Sequence, residues 1–242
     1  MAWKTVLAAG STQDILYTPR ARGLESPHHR LWDVHVQTNY RPALELAQRR
    51  LRALDPSTVA ERSGAQLIER EGSPTFLLRL LGRHYRIPLP EALAYDASTG
   101  AETGATTTLV LLHYLATADG CPVSRQWIPF RSLPGGAVYE QAFRRQCLAP
   151  LVDAFGSNAE GLAAAAEALG GVRDTMADVS YTFQALPHLP MACLLWTADE
   201  EQRAEASLLF DAVAPRCLPT EDLAALARML ALGLVRFQGR QT

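Results

Sequence analysis

Apolar residues recur at intervals of three and four between residues 39 and 54, which predicts an amphipathic helix there. Its apolar positions are Leu44, Ala47, Leu51 and Leu54. Apolar spacing and helix-start signals together predict further helices over residues 58–63, 109–116, 137–155, 158–169 and 220–235. Pro150 predicts a bend near Gln146 in the third of these further helices, because proline removes a backbone donor and crowds the carbonyl four residues before it.

Short apolar stretches between the helices predict β-strands. These stretches are residues 65–69, 76–81, 84–89, 125–133, 179–185, 191–196 and 206–210. Gly82 and Arg83 separate two of them and predict a two-residue hairpin turn. No internal repeat or clean linker interrupts the pattern. The chain is therefore expected to form a single compact α+β domain, with a mainly antiparallel or mixed sheet packed by about five helices.

The domain is expected to cover residues 37–237, preceded by an arm over residues 1–36 and followed by a tail over residues 238–242. The arm mixes Gly, Pro, Ser and charged residues with short apolar pieces. It holds three of the six histidines: His28, His29 and His35. On a helix the first and last of these would stand two turns, roughly 10 Å, apart, which is too far for one metal ion. Trp3, Tyr17 and Trp32 offer anchors for a second copy or a protein partner.

Charge and composition exclude several classes of function. The 242 residues carry a formal net charge of −2 without a block of like charges, so binding to nucleic acid is not expected. No run of 18 apolar residues occurs, so no membrane span is expected. The four cysteines include no CxxC pair, which argues against an iron–sulfur cluster or zinc ribbon. A reduced, cytoplasmic protein is the expectation.

The first candidate site is a seat for an anion at the start of helix 137–155. Gly135 and Gly136 precede the helix, where free amides and the helix dipole attract negative charge, and Arg131 lies just upstream. Glycines also make sharp strand-to-helix turns, which is the structural alternative. His113, on an apolar helix face, and His188, on a loop between two prolines, are candidate ligand-binding residues.

The second candidate site is a cluster of carboxylates. Asp199, Glu200 and Glu201 follow the most apolar strand, and Asp211 ends the next strand. On a strand, Asp199 and Glu201 would point to one face, and with Asp211 they are candidates to hold a divalent metal ion. The alternative is a solvated turn whose charges protect a hydrophobic strand.

Several phrases of the sequence resemble a known protein family. They are NYRPALELAQRRLRALDPSTVAERSGA, LLHYLATADGCPVSRQWIPFRSLPGGAVYEQAF, ALPHLPMACLLWTADEE, ASLLFD and LPTEDLAAL. These phrases are similar to DUF3786, a prokaryotic domain of unknown function, over residues 37–237. The family supplies no catalytic residues to carry over. Some relatives contain a cysteine-rich iron–sulfur segment, which this chain lacks. The resemblance to proteins of anaerobes implies a link to cofactor or one-carbon metabolism, beside corrinoid or iron–sulfur partners, and to tetrapyrrole- or corrinoid-linked metabolism.

Three functions follow as hypotheses. The favoured one is a binding module for an anionic small molecule or cofactor, with His188 as a possible axial ligand to a tetrapyrrole metal. The second is a metal-dependent, hydrolase-like enzyme that uses the carboxylates and His113 as base. The third is a scaffold without chemistry of its own, which associates through residues 1–36. The sequence leaves open whether the protein is an enzyme, because none of the common catalytic motifs occurs in it.

Overall fold

The computed structural model describes residues 40–70 and 72–238. The predicted arm, with its histidines and aromatic residues, lies outside these ranges. The helices are α1 (Arg41–Arg52), α2 (Pro56–Ser63), α3 (Ala105–Thr117), α4 (Gly136–Phe143), α5 (Ala149–Phe155), α6 (Ala159–Ala168) and α7 (Thr220–Gln238). The strands are β1 (Gln66–Arg70), β2 (Ser73–Leu80), β3 (Arg83–Pro88), β4 (Tyr95–Asp96), β5 (Trp127–Pro129), β6 (Val172–Asp174), β7 (Val179–Leu186), β8 (Leu189–Trp196) and β9 (Glu205–Asp211).

The strands form two sheets in which every paired neighbour is antiparallel. One sheet has the order β1-β2-β3-β4 and the other has the order β5-β9-β8-β7-β6. Contacts between β2 and β7 join the two sheets. Together with the helices they make one α+β domain, so the predicted fold class is confirmed.

The helices cover one face of the second sheet. Tyr181, Phe183 and Phe210 point from that face into the core, where helices α5, α6 and α7 pack. The Tyr181 hydroxyl donates a hydrogen bond of 2.9 Å to Glu167 on α6, which fixes the side of the sheet that faces the helices. Since side chains alternate along a strand, Thr182 and Gln184 point to the opposite face. That opposite face is where the candidate site lies.

The long helix changes its hydrogen bonding at the position where the bend was predicted. The segment Arg144–Leu148 between α4 and α5 has π-helical hydrogen bonding, and it contains Gln146. Pro150 follows at the start of α5, where its missing amide is tolerated. The wider turn lets the helix continue past the proline and changes the direction in which its side chains project.

The hairpin of β2 and β3 differs from the prediction by one residue. Leu80 pairs with Arg83, so the turn consists of Leu81 and Gly82 and not of Gly82 and Arg83. Both turn residues have positive φ, 46° and 82°, as the tight turn of a right-twisted hairpin requires. Leucine is unfavourable in this conformation, but the amide of Leu81 donates a 2.9 Å hydrogen bond to the carbonyl of Ala185 on β7. The contact between the sheets thus determines the register.

The strand predicted over residues 125–133 is also shorter than expected. Only Trp127–Pro129 pairs with β9, because Arg125 has a left-handed backbone and residues Phe130–Ser132 form a 3-10 turn. Among the described residues, no helix has both the length and the apolar character needed to cross a membrane.

Candidate functional site

A cavity of about 780 Å³ lies on the face of the second sheet that points away from the helices. Trp127, Thr182, Gln184, Pro190 and Asp211 form its floor from four neighbouring strands. Three loops form its walls: the β2–β3 turn, the turn between α6 and β6, and the segment before β5. These walls contribute Arg79, Leu81, Gly82, Leu169, Gly170, Val123 and Arg125. The volume is within the range of cavities that hold cofactors and other small molecules.

Arg79 and Arg125 bring positive charge to the cavity, while Asp174 and Asp211, which also line it, bring negative charge. Neither Arg79 nor Arg125 has an ion pair or side-chain hydrogen bond with a residue in the described ranges. The Nη2 atom of Arg79 lies 3.9 Å from the position that a Cβ would occupy at Gly82 and at Gly170, so its guanidinium lies between two of the wall loops. Arg173 also lines the cavity. It lies opposite Tyr181 in the ladder between β6 and β7, so its side chain starts on the face of the sheet that the helices cover.

Asp211 holds the wall segment that carries Arg125. Its Oδ1 atom accepts hydrogen bonds from the Ser124 hydroxyl at 2.6 Å, the Ser124 amide at 3.1 Å and the Val213 amide at 3.0 Å. Its Oδ2 atom accepts a bond of 2.6 Å from the Arg125 amide. The side chain has no solvent-accessible surface. Asp211 therefore acts as a brace for the cavity wall rather than as a free carboxylate.

The pKa of Asp211 reflects this environment. Burial by itself would raise the pKa, but the hydrogen bonds from the Ser124 hydroxyl and from the Val213, Ser124 and Arg125 amides outweigh it and hold the pKa below its usual value. The carboxylate is therefore ionised at neutral pH. Its negative charge also offsets part of the positive charge that Arg79 and Arg125 bring to the cavity.

The cavity walls contain strained backbone. Three non-glycine residues in the described ranges have positive φ: Leu81, Ala92 and Arg125. Two of them, Leu81 and Arg125, line the cavity. A left-handed conformation costs a non-glycine residue about 1–2 kcal/mol, and such strain is found preferentially at functional sites. Hydrogen bonds of their amides to Ala185 and to Asp211 hold both residues in this conformation.

At the start of α4, where an anion was predicted to bind, the glycines make contacts within the protein. The Gly136 amide donates a 2.9 Å hydrogen bond to the carbonyl of Leu133 and is not free for an anion. A Cβ at Gly136 would lie 2.1 Å from the carbonyl oxygen of Phe130, so the glycine is required for close packing. Gly135 has a φ of 73°, which makes the turn into the helix. Arg131 is exposed beside it. The alternative interpretation, that the glycines make a sharp turn into the helix, thus accounts for both of them.

The two candidate histidines lie apart from the cavity. His113 on α3 forms an ion pair or hydrogen bond of 2.6 Å through Nδ1 with Oδ2 of Asp222 in the first turn of α7. The ring of His188 packs against Gly64, where a Cβ would lie 3.1 Å from Nε2. Neither histidine lines the cavity. Neither of them therefore shares this site with Arg79 and Arg125.

A buried tyrosine fixes the loop that contains His188. The Tyr114 hydroxyl donates a 2.8 Å hydrogen bond to the carbonyl of Ser63 and accepts a 3.0 Å bond from the His188 amide. Burial raises the pKa of Tyr114, so the hydroxyl stays protonated and keeps both bonds. This contact ties α2, α3 and the β7–β8 turn together.

We expect Tyr114→Phe to lower the free energy of unfolding by about 1–3 kcal/mol, because it leaves two buried backbone groups without partners. Urea denaturation followed by circular dichroism measures the change. Tyr139→Phe, at an exposed position, is the matched control and should change stability by no more than about 0.5 kcal/mol. Equal stability of the two variants would show that water replaces the Tyr114 hydroxyl.

The carboxylates proposed as a metal site are separated by the length of a strand. Asp211 ends β9, whereas Asp199 and Glu201 precede its beginning at Glu205. A strand of this length spans about 20 Å. Oδ1 of Asp199 instead accepts hydrogen bonds from the Glu201 and Gln202 amides, at 2.9 and 2.7 Å. The joint site of Asp199, Glu201 and Asp211 was therefore a wrong prediction, because β8 and β9 are antiparallel and their carboxylates lie at opposite ends.

No group of three or more His, Cys, Asp or Glu side chains within residues 40–70 and 72–238 is arranged to hold a metal ion. Each of the four cysteines is a free thiol. Burial raises the pKa of Cys193 and of Cys217 to about 12, so these two thiols are protonated and poor nucleophiles at neutral pH.

Sequence reasoning missed Arg79 and Arg125. Arg79 is a polar residue at an outward position of an alternating strand, which is where any solvated arginine is expected. Arg125 was assigned to a strand, and its left-handed backbone depends on a carboxylate 86 residues away. The sequence feature that could have indicated this site was Asp211, because a charged residue stands there at the end of an apolar strand. We interpreted Asp211 as a metal ligand instead.

These features define a two-sheet α+β protein with a cavity, lined by two arginines without a partner in the described ranges, on the face of the larger sheet that points away from the helices. The chain belongs to the family described as a domain of unknown function, DUF3786, whose sequence profile matches residues 55–232. The match confirms the resemblance found in the sequence and includes every residue that lines the cavity. Comparison with curated proteins finds no match, and neither does comparison with solved structures.

Proposed function

We propose that the protein is a binding module for an anionic small molecule, which it holds in the cavity between the two arginines and the sheet floor. The observation that carries the proposal is the pair of guanidinium groups, Arg79 and Arg125, that line a cavity of about 780 Å³ and have no partner among residues 40–70 and 72–238. Arginines without a counter-ion are suited to carboxylate or phosphate, which accept two parallel hydrogen bonds from a guanidinium.

The rest of the lining favours a ligand with a flat apolar body. Trp127 is an aromatic residue in the cavity floor, and Leu81 and Pro190 add apolar surface. Thr182 and Gln184 supply a hydroxyl and an amide, which can orient polar substituents. A small anion that carries an aromatic group satisfies both parts of the lining. A phosphorylated or carboxylated aromatic cofactor is a ligand of this kind.

The geometry gives less support to the other two hypotheses. A metal-dependent hydrolase needs carboxylates that converge, and Asp199 and Asp211 instead hold backbone amides at opposite ends of β9. A tetrapyrrole held through His188 would need space at that ring, which packs against Gly64. A corrinoid or tetrapyrrole in the arginine cavity would bind through its carboxylates and would colour the protein.

We expect 1-naphthyl phosphate to bind to the purified protein and the neutral analogue 1-naphthol to bind at least about tenfold more weakly, because only the phosphate engages the arginines. Arg79→Gln and Arg125→Gln should each remove most of this preference. Isothermal titration calorimetry of both compounds measures the effect. Arg203→Gln, at an exposed arginine in the β8–β9 loop, is the control and should keep the preference.

A second experiment looks for a natural ligand that co-purifies with the protein. Native mass spectrometry and a visible absorption spectrum of anaerobically purified protein should give a discrete bound mass that is lost in Arg125→Gln. Absorption of a corrinoid or tetrapyrrole would identify that class of ligand. The proposal fails if naphthyl phosphate and naphthol bind equally well, or if both arginine variants bind the phosphate as the wild type does.

A further inference from the structure

A second cavity, of about 320 Å³, lies between α7 and the helix formed by α4 and the π-helical segment that follows it. Tyr139, Phe143 and Gln146 contribute to it from α4 and the π-helical segment, with the thiol-bearing Cys147 beside them. Phe130, stacked on Phe143 with ring centroids 4.1 Å apart, forms one end. The π-helical turn carries Gln146 and Cys147 towards the space, and such turns occur frequently at functional sites.

The opposite wall is a single stripe of α7. Thr220, Ala224, Ala225 and Arg228 recur at the spacing of a helical face, and all four line the cavity. The two alanines leave space between the helices, while Thr220, Glu221 and Arg228 supply polar groups from α7. The cavity therefore combines apolar surface with a guanidinium on one wall.

Arg228 is the feature that indicates a ligand. Its side chain is half-buried, and it forms no ion pair or hydrogen bond with another residue in the described ranges. Burial raises the pKa of the neighbouring Cys147 to about 12, against the opposing charge of Arg228, so the thiol does not supply a negative partner. Within the part of the chain that the structure describes, this half-buried guanidinium among aromatic and alanine side chains has no counter-ion, which such a group normally has.

We propose that this second cavity binds a small amphiphilic monocarboxylate, with its carboxylate on Arg228 and its hydrocarbon part along Phe130, Phe143 and Ala225. The volume is at the lower end of the range for small-molecule sites, which suits a medium-length chain or a single ring. Glu221 also lines the cavity at an exposed position, and its charge disfavours ligands with a second negative group. This site is independent of the arginine cavity of the proposed function, because the two share no residue.

The test uses octanoate and 1-octanol as matched probes in isothermal titration calorimetry. Octanoate is expected to bind at least about tenfold more tightly than octanol, and Arg228→Gln should remove that difference. Arg145→Gln changes an exposed arginine on the adjoining π-helical turn that does not line the cavity, and it should leave octanoate binding unchanged.

Two further variants locate the site. Ala225→Leu fills part of the space and should weaken both probes, while thermal denaturation verifies that the variant is folded. Arg125→Gln should leave octanoate binding intact, which separates this site from the arginine cavity. Equal binding of the two probes, or octanoate affinity unchanged in Arg228→Gln, would overturn the proposal. Loss of octanoate binding in Arg125→Gln but not in Arg228→Gln would assign the ligand to the other cavity.

Discussion

Asp211→Ala is expected to lower the free energy of unfolding by about 3–5 kcal/mol, because it removes a buried charged acceptor that serves several donors at once. Three backbone amides, those of Ser124, Arg125 and Val213, lose their partner. The strained backbone of Arg125 also loses the bond that holds it. Urea denaturation followed by circular dichroism measures the stability. Asp153→Ala, at an exposed aspartate on α5, is the control and should change stability by no more than about 0.5 kcal/mol.

The same substitution should abolish the binding of 1-naphthyl phosphate in the arginine cavity, even at a temperature where the variant is folded. Arg125 is positioned through its amide contact with Asp211, so loss of the brace displaces its guanidinium. Asp211→Asn tests whether the negative charge of this side chain matters or only its shape. It keeps one oxygen acceptor, but it places an amide donor against an N–H donor. It should therefore be less stable than the wild type and also deficient in binding. Wild-type stability and binding in Asp211→Ala would contradict the assigned role.

The pKa of Asp211 predicts how stability depends on pH. The folded-state pKa is lowered below the unfolded value, so the carboxylate stabilises the fold above the unfolded pKa of about 4. That contribution is lost as the pH falls through the folded-state value, since protonation removes the acceptor. The difference in stability between the wild type and Asp211→Asn should therefore shrink between about pH 5 and more acidic conditions. A difference that stays constant over this range would mean that the charge of Asp211 is immaterial.

Gly136→Ala is expected to destabilise the protein by about 3 kcal/mol or more, at or above the upper end of the usual cost of overpacking. The added Cβ would lie 2.1 Å from the carbonyl oxygen of Phe130 and 3.1 Å from its carbon. These are backbone atoms, so the clash cannot be relieved by rotating a side chain. Phe130 is itself held between Phe143 and Phe210, with ring centroids 4.1 and 6.3 Å away. Thermal and urea denaturation both measure the loss.

Gly135→Ala is the matched control for this variant. A Cβ at Gly135 meets no atom within 4 Å, so only its φ of 73° is unfavourable and the expected cost is about 1–2 kcal/mol. The pair of variants also separates the two interpretations of the glycine turn. If the glycines were required only to bind an anion, both variants would keep most of their stability. If they serve packing, as the contacts indicate, Gly136→Ala alone should be severely destabilised.

The favoured class of function in the sequence analysis, an anion-binding module, remains a proposal, but the residues that support it have changed. Arg131, Gly135 and Gly136 are close in sequence, and that closeness suggested a seat for an anion. The structure uses the glycines for packing against Phe130. Arg79 and Arg125 are 46 positions apart in the chain, and they line the same cavity because β2 contacts β7 and the segment before β5 is attached to Asp211.

The sequence by itself determined the local structure of this protein. Spacing of three and four predicted the helices, Pro150 marked the position of the π-helical turn, and short apolar runs predicted strands β7, β8 and β9. The family, too, was recognisable from the sequence phrases. These features depend on residues a few positions apart, whose interactions are set by backbone geometry and local sterics before the chain packs.

The tertiary structure alone decided which distant side chains share a site. Antiparallel pairing of β8 and β9 put Asp211 at the far end from Asp199, which a sequence of two apolar runs cannot specify without the direction of pairing. The hydrogen bond from Leu81 to Ala185 set the hairpin register, and Asp211 set the backbone of Arg125. Such contacts form between segments far apart in the chain, so their partners are fixed only when the sheets and helices bury a common core.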